Sequence, residues 1–124
     1  MAKRNGSPER RKHKRLKVKE GSIAISIPDS KKLGQIKDIS KGGLAFQYLG
    51  SVEQAKNSVE VEILSIADDF YLRKLPVRTV LDVEINNPVS MSLLPKRQLS
   101  MKFGKLNHYQ KELLNHFLQR YTHK

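Results

Sequence analysis

The chain has 124 residues, with 24 Lys/Arg against 12 Asp/Glu for a formal net charge of +12, and no cysteine. That length suits one ordinary domain rather than two, the lack of thiols excludes a disulfide framework and thiol chemistry, and no apolar run approaches the ~20 residues of a membrane-spanning helix. The charge and a pI of about 10.1 invite an anionic partner: a nucleotide, nucleic acid, an acidic lipid surface or an acidic protein.

The charge is unevenly spread. The first 20 residues hold nine Lys/Arg and two Glu, a net +7 of the +12, so the basic character belongs to an arm more than to a fold. Residues 1–9 are polar and carry Gly6, Ser7 and Pro8; they have nothing to bury and are expected to form a disordered tail. No apolar segment follows the basic start, so it does not read as a secretory signal. With no cysteine, the chain is read as cytoplasmic. The single domain is expected over 10–124, with its strands over about 16–105.

Ile23, Ile25 and Ile27 alternate with Ala24 and Ser26, which predicts the first strand. Pro28, Asp29, Ser30 and Gly34 mark a turn region, and Gln35 to Ser40 reads as a short second strand carrying Ile36 and Ile39. After Gly42-Gly43 the alternation returns with Leu44, Phe46 and Tyr48, closed by Gly50 and Ser51. Val59, Val61 and Ile63 alternate again, with Glu60 and Glu62 expected to face out. Phe70 to Val83 is a long mixed run containing Pro76. Proline cannot donate to a ladder, so an edge or a bulge is predicted there. Asp82 and Glu84 alternate with apolar residues and read as the wet side of a strand, not an acid/base pair. Asn86-Asn87-Pro88 is a turn, a weaker strand is expected near Val89 to Leu94, and Leu99, Met101 and Phe103 give the last alternation before Gly104.

The period then changes. Leu106, Tyr109, Leu113, Leu114, Phe117, Leu118 and Tyr121 recur at helical spacing, one apolar face of a helix over about 107–122. Asn107 is the expected N-cap with Gln110 completing a capping box, and Arg120 and Lys124 suit the far end of the dipole. Six or seven short strands and one helix predict a mainly β, antiparallel barrel or sandwich, with the helix over one opening or one face.

Two stretches carry chemistry. Arg10, Arg11 and Arg15 lie in the basic run. Guanidinium groups fork onto phosphates and onto the O6/N7 edge of guanine, although a basic run of this kind is usually a solvated tail. Asp38-Ile39-Ser40-Lys41-Gly42-Gly43 sets a carboxylate and a hydroxyl two residues apart, hence on one face of an extended chain. The paired glycines call for a positive φ or a close approach. A carboxylate can accept from N1–H and N2–H₂ of guanine while arginine reads the opposite edge. Taken alone, the second stretch is also what a hairpin turn looks like when Asp and Ser bond only their own turn.

Together, Arg11-Lys12-His13-Lys14-Arg15 and Asp38-Ile39-Ser40-Lys41-Gly42-Gly43 resemble the RxxxR and (D/N)xSxxG motifs of PilZ domains. The order and separation agree, as do the Leu44-Ala45-Phe46 strand, the Pro76-Val77-Arg78 segment and the strand-then-helix ending. The resemblance covers roughly residues 9–122. It implies a six-stranded antiparallel β-barrel with a C-terminal helix and a flexible basic arm, and binding of the bacterial second messenger cyclic di-GMP. By the same resemblance Arg11 and Arg15 would hold guanine edges and phosphates, Asp38 and Ser40 would contact guanine, and Gly43 would let the backbone come close. Arg10, preceding RxxxR, would accompany an intercalated cyclic di-GMP dimer. The sequence departs from the family where many members carry a stacking aromatic: Thr79 and Val80, beside Arg78, offer no ring.

The function implied is a stand-alone receptor or adaptor, read as a monomer, that changes its arm on ligation and signals to a downstream protein; with no second domain expected, output would pass through another protein, through the C-terminal helix surface or through the arm. Two alternatives are a basic barrel that binds nucleic acid and a PilZ-like interaction module that binds no nucleotide. Against the first, the strands lack the interleaved exposed aromatics of single-strand binders, and Asp38 would repel phosphate. No enzyme is indicated. The four histidines lack metal spacing, Ser40 has no evident base, no phosphate-cradling Gly-rich loop is present, and no metal or cofactor is expected.

Overall fold

A computed structural model describes residues 14–28, 32–50, 58–85 and 95–123. Within them the chain forms β1 (Leu16–Lys17), β2 (Ser22–Ile27), β3 (Leu33–Ile39), β4 (Gly43–Leu49), β5 (Glu60–Ser65), β6 (Phe70–Glu84), β7 (Lys96–Phe103) and α1 (His108–Arg120). Neighbouring strands run β3-β2-β5-β6-β7-β4, all antiparallel, and β4 pairs back onto β3. The result is the expected closed six-stranded barrel with a C-terminal helix. β1 adds a short rung outside the ring, Leu16 facing Ile39 and Lys17 facing Asp38. The tail, Arg10 and Arg11, the weak strand expected near Val89 to Leu94, and Lys124 lie outside the described residues.

Closure depends on β3. Its first half pairs with β2 and its second half with β4, so the chain passes between two neighbours at close range. A Cβ on Gly34 would sit 1.7 Å from the Gln47 carbonyl oxygen, and one on Gly43 would sit 2.1 Å from that of Met101. Neither glycine has a positive φ. Of the two uses that a paired glycine allows, the one realised at Gly43 is a close approach, and what approaches is strand β7.

Alternation fills the interior as expected from β3, β4, β5 and β7: Ile36, Leu44, Phe46, Val61, Ile63, Leu99 and Met101 are all buried. β2 is inverted. Ser22, Ala24 and Ser26 point inward and are buried, while Ile23, Ile25 and Ile27 are half-buried on the outside. A six-stranded ring has a narrow interior, and small residues on one strand make room for large ones opposite. Val59, expected in the alternation, precedes β5 and is exposed.

The two mouths are closed by opposite chemistry. At one, α1 lays Leu114, Phe117 and Leu118 over the barrel, with the Phe117 ring 5.5 Å from Phe70 and 5.0 Å from Tyr121. Asn107 accepts from Gln110 N at 2.8 Å and Gln110 accepts in return from Asn107 N at 3.0 Å, the predicted capping box. Tyr109 departs from the predicted apolar face and is 68% exposed. At 3.6 residues per turn it lies roughly 140° around the axis from Leu114, so Gln110 faces the barrel in its place and donates to the Lys74 carbonyl at 2.9 Å.

The other mouth is polar, and here the reading of Asp82 is corrected. Its side chain faces inward. Arg97 Nε donates to it at 2.9 Å and Lys32 Nζ at 3.2 Å, and the Tyr48 hydroxyl lies 2.8 and 2.7 Å from its two oxygens. The cause is a bulge. Thr79 faces Met101 but Leu81 faces Ser100, so Val80 has no partner and β6 changes phase. One extra residue sends each following side chain to the opposite face. Glu84 stays exposed near the strand end. An earlier register shift sets Val61 against Leu75 and Ile63 against Leu72, with Lys74 at φ 57°. The predicted irregularity thus falls two residues before Pro76, whose carbonyl accepts from Gly104 N at 2.7 Å.

Candidate functional site

Asp38 is the next-to-last residue of β3, and Arg15 immediately precedes β1. Because β1 lies antiparallel on β3, the two side chains meet across 23 positions of sequence. Arg15 Nη1 donates to Asp38 Oδ1 at 2.7 Å, with the side chains 24% and 27% exposed. Arg15 Nε is buried with no partner. The pair is partly open to solvent, and it leaves Asp38 Oδ2 and the unused guanidinium donors for a ligand.

Ser40 and Asp38 behave differently. Ser40 is buried and holds its own turn: its Oγ accepts from Gly42 N at 3.0 Å, and its N–H donates to the Gly43 carbonyl at 2.8 Å. That is the ordinary turn role of serine. Asp38 does not bond its turn; its partner is the arm. The local reading therefore holds for Ser40 and fails for Asp38. Gly43 is required by the contact with Met101 described above. Arg10 and Arg11 lie outside the described residues.

The register extends the site beyond the motifs. Lys17, Asp38, Ala45, Ser100 and Leu81 are successive cross-strand partners, and cross-strand partners share a face. They form one row over the outside of the barrel. From Asp38 to Leu81 is three strand spacings, about 14 Å. A flanking row holds Gln47, Gln98 and Val83, with Gln47 Nε2 donating to Gln98 Oε1 at 3.3 Å. The row on the other side carries Gly43, Lys102 and Arg78. The bulge that turns Asp82 inward also leaves Val80, Leu81 and Val83 exposed at 59%, 52% and 40%. Ala45, in the middle of the row, is buried, so the open floor of the face consists of Val80, Leu81 and Val83 beside the Gln47–Gln98 amides, with the Arg15–Asp38 pair at one end and two cations along one side. The alternation in β6, read without its bulge, assigns Leu81 and Val83 to the interior, so no local signal announces this floor.

Among the described residues, no group of three His, Cys, Asp or Glu could hold a metal ion, and no helix is long and apolar enough to cross a membrane. His108 lies 2.8 Å from Glu112 on the exposed side of α1.

No protein-family model matches the chain, and no curated protein matches it. Solved structures do. The fold is similar to that of K. pneumonia MrkH in its complex with c-di-GMP, with a TM-score of 0.67 and 14% identity over 90% of this chain and 52% of that one. It is similar to Escherichia coli YcgR in complex with c-di-GMP, with a TM-score of 0.62 and 12% identity over 90% of this chain and 45% of that one. The PilZ domain of YcgR with c-di-GMP gives a TM-score of 0.59 and 12% identity, covering 86% of this chain and 87% of the other. The chain spans about half the length of the MrkH and YcgR chains it matches. The fold is that of the PilZ domain.

Proposed function

We propose that this PilZ-type barrel is a receptor for cyclic di-GMP that passes the signal to a partner protein. The observation that carries the reading is the Arg15–Asp38 ion pair: the two sequence motifs, far apart in the chain, share one partly open charge pair on the outer face. A carboxylate and a guanidinium side by side offer hydrogen bonds to both edges of guanine and to a phosphate. The exposed apolar side chains of Leu81 and Val83 give the flat bases a dry floor in place of the aromatic ring absent at Thr79 and Val80. Four extended residues reach at most about 14 Å, so an arm rooted at Arg15 can carry Arg11 across the width of that floor. Arg10, one residue further, would then serve a second, intercalated nucleotide. Ser40 supports the site through its turn.

The test is a calorimetric titration with cyclic di-GMP. Saturable binding is expected, with a ligand-to-protein ratio near two if a dimer binds. Asp38→Ala and Arg15→Ala should each weaken it by about a hundredfold or more, because each removes charge-assisted hydrogen bonds of about 1.5–3 kcal/mol apiece. No saturable heat from the parent protein would sink the proposal. Tight binding of an oligonucleotide that falls steeply with salt and tolerates Asp38→Ala would replace it with the nucleic-acid reading.

A further inference from the structure

A groove separate from the Asp38 face lies between the turn at 40–43, the connection after β7 and the first half of α1. Its volume is about 390 Å³, and Lys41, Lys105, Lys111, Leu106, Leu114 and Asn115 line it. That volume lies within the ~300–1,000 Å³ of ordinary ligand pockets. Leu106 and Leu114 form an apolar base, and the long lysine side chains can add their aliphatic stems to the walls. Among the described residues, no acidic side chain lines the groove. The side-chain amine of none of the three lysines forms a hydrogen bond or ion pair with another described residue. The nearby carboxylate on α1, Glu112, is taken by His108.

Three unpaired like charges around one small depression repel one another, which lowers stability unless something else gains from them. The apolar base distinguishes the groove from a plain phosphate site, since a phosphate has no use for leucine. A protein segment carrying an apolar side chain between acidic ones uses both features: the anchor fills the base, and the carboxylates neutralise the rim. We propose that this groove docks an acidic segment of a partner protein through an apolar anchor. Its position gives it a use. Lys41 belongs to the turn that begins two residues after Asp38, and that turn is braced by Ser40 Oγ on Gly42 N and by Phe103 N on the Gly42 carbonyl. A ligand pulling on Asp38 therefore acts on the same short turn that presents Lys41. This coupling rests on the nucleotide reading; the docking does not.

The probe is a fluorescent synthetic peptide of Asp and Glu flanking a central Leu-Phe pair, titrated into the whole ¹⁵N-labelled chain at low salt. Two controls accompany it: the same peptide with the pair replaced by serines, and a short oligothymidylate. Shifted amide signals are expected at Lys41, Lys105, Leu106, Lys111 and Asn115. The double variant Lys105→Glu/Lys111→Glu should bind at least about tenfold more weakly. Both lysines are exposed, so its thermal unfolding should match the parent's. The serine peptide should also bind at least about tenfold more weakly than the parent peptide. Equal binding of the serine peptide or the oligothymidylate would overturn the proposal in favour of unspecific charge attraction. So would signals confined to the arm and the Asp38 face, or no saturable binding of the Leu-Phe peptide. If cyclic di-GMP fails to bind while the peptide docks as described, the nucleotide reading falls and the groove stands.

Discussion

Asp82 is the residue on which the polar mouth of the barrel turns. Burial alone would raise its carboxyl pKa, but hydrogen bonds from Tyr48, Arg97 and Lys32 outweigh that and hold it below the usual carboxylate range. Burial, reinforced by the adjacent carboxylate, pushes the Tyr48 hydroxyl up to about 12. Removing the acid would take the carboxylate away from the guanidinium of Arg97, whose side chain is only 6% exposed. Asp82→Ala should therefore cost about 3–5 kcal/mol in urea unfolding at neutral pH. The pH dependence follows from the direction of each shift. The folded carboxyl titrates below its unfolded counterpart, so its contribution is complete above the ordinary value near ~3.9 and is lost as pH falls through the lower folded value. The gap between parent and variant should stay level through neutral pH and shrink below about pH 4. The raised Tyr48 acts in the opposite sense: its contribution is complete below about pH 10 and is lost as pH rises through about 12.

Among the elements, α1 is held at its start by one residue used twice. Gln110 closes the capping box with Asn107 and also donates to the Lys74 carbonyl in the first bulge of β6. Asn107→Ala removes one cap acceptor and should cost about 1 kcal/mol. Gln110→Ala removes the reciprocal cap bond and the tie to the sheet, so its cost should exceed that of Asn107→Ala. Urea denaturation of the two single variants compares them directly, and an equal cost would mean that the tie to Lys74 contributes nothing. Elements with a local signal are legible in the sequence. The capping box was legible because Asn and Gln stood three apart before an apolar run, and β4 because Leu44, Phe46 and Tyr48 alternate without interruption. β6 was not legible in detail: the unpaired Val80 is an ordinary β-branched residue in a β-branched run, and nothing local distinguishes it from its neighbours.

At the scale of the molecule, the charge is divided between an arm and a barrel. The arm's root is clasped on both sides: Lys17 pairs with Asp38, and the Lys17 carbonyl accepts from His123 N at 2.8 Å. The end of the chain after α1 is thus fastened beside the place where the arm joins the barrel. If cyclic di-GMP binds as proposed, fixing the residues before that root costs roughly 1–2 kcal/mol each in backbone freedom, which ligand bonds would offset together. Amide exchange over residues 9–15 is therefore expected to slow on addition of cyclic di-GMP, while exchange in α1 changes little. Equal exchange over 9–15 with and without ligand would contradict a ligand-ordered arm.

The sequence by itself determined the strand-rich class, the closing helix with its cap, and the two motifs that mark the candidate site, because period, capping and turn chemistry act over a few residues. Only the tertiary structure decided which faces those residues take. A narrow barrel gives its interior to Ser22, Ala24 and Ser26 and leaves the isoleucines of β2 outside. One bulge exchanges Asp82 for Leu81 and Val83, creating the polar plug and the apolar floor together. The pairing of β1 with β3 joins Arg15 to Asp38. Each of these is set by ring closure and strand register, which depend on partners distant in sequence and so leave no local trace.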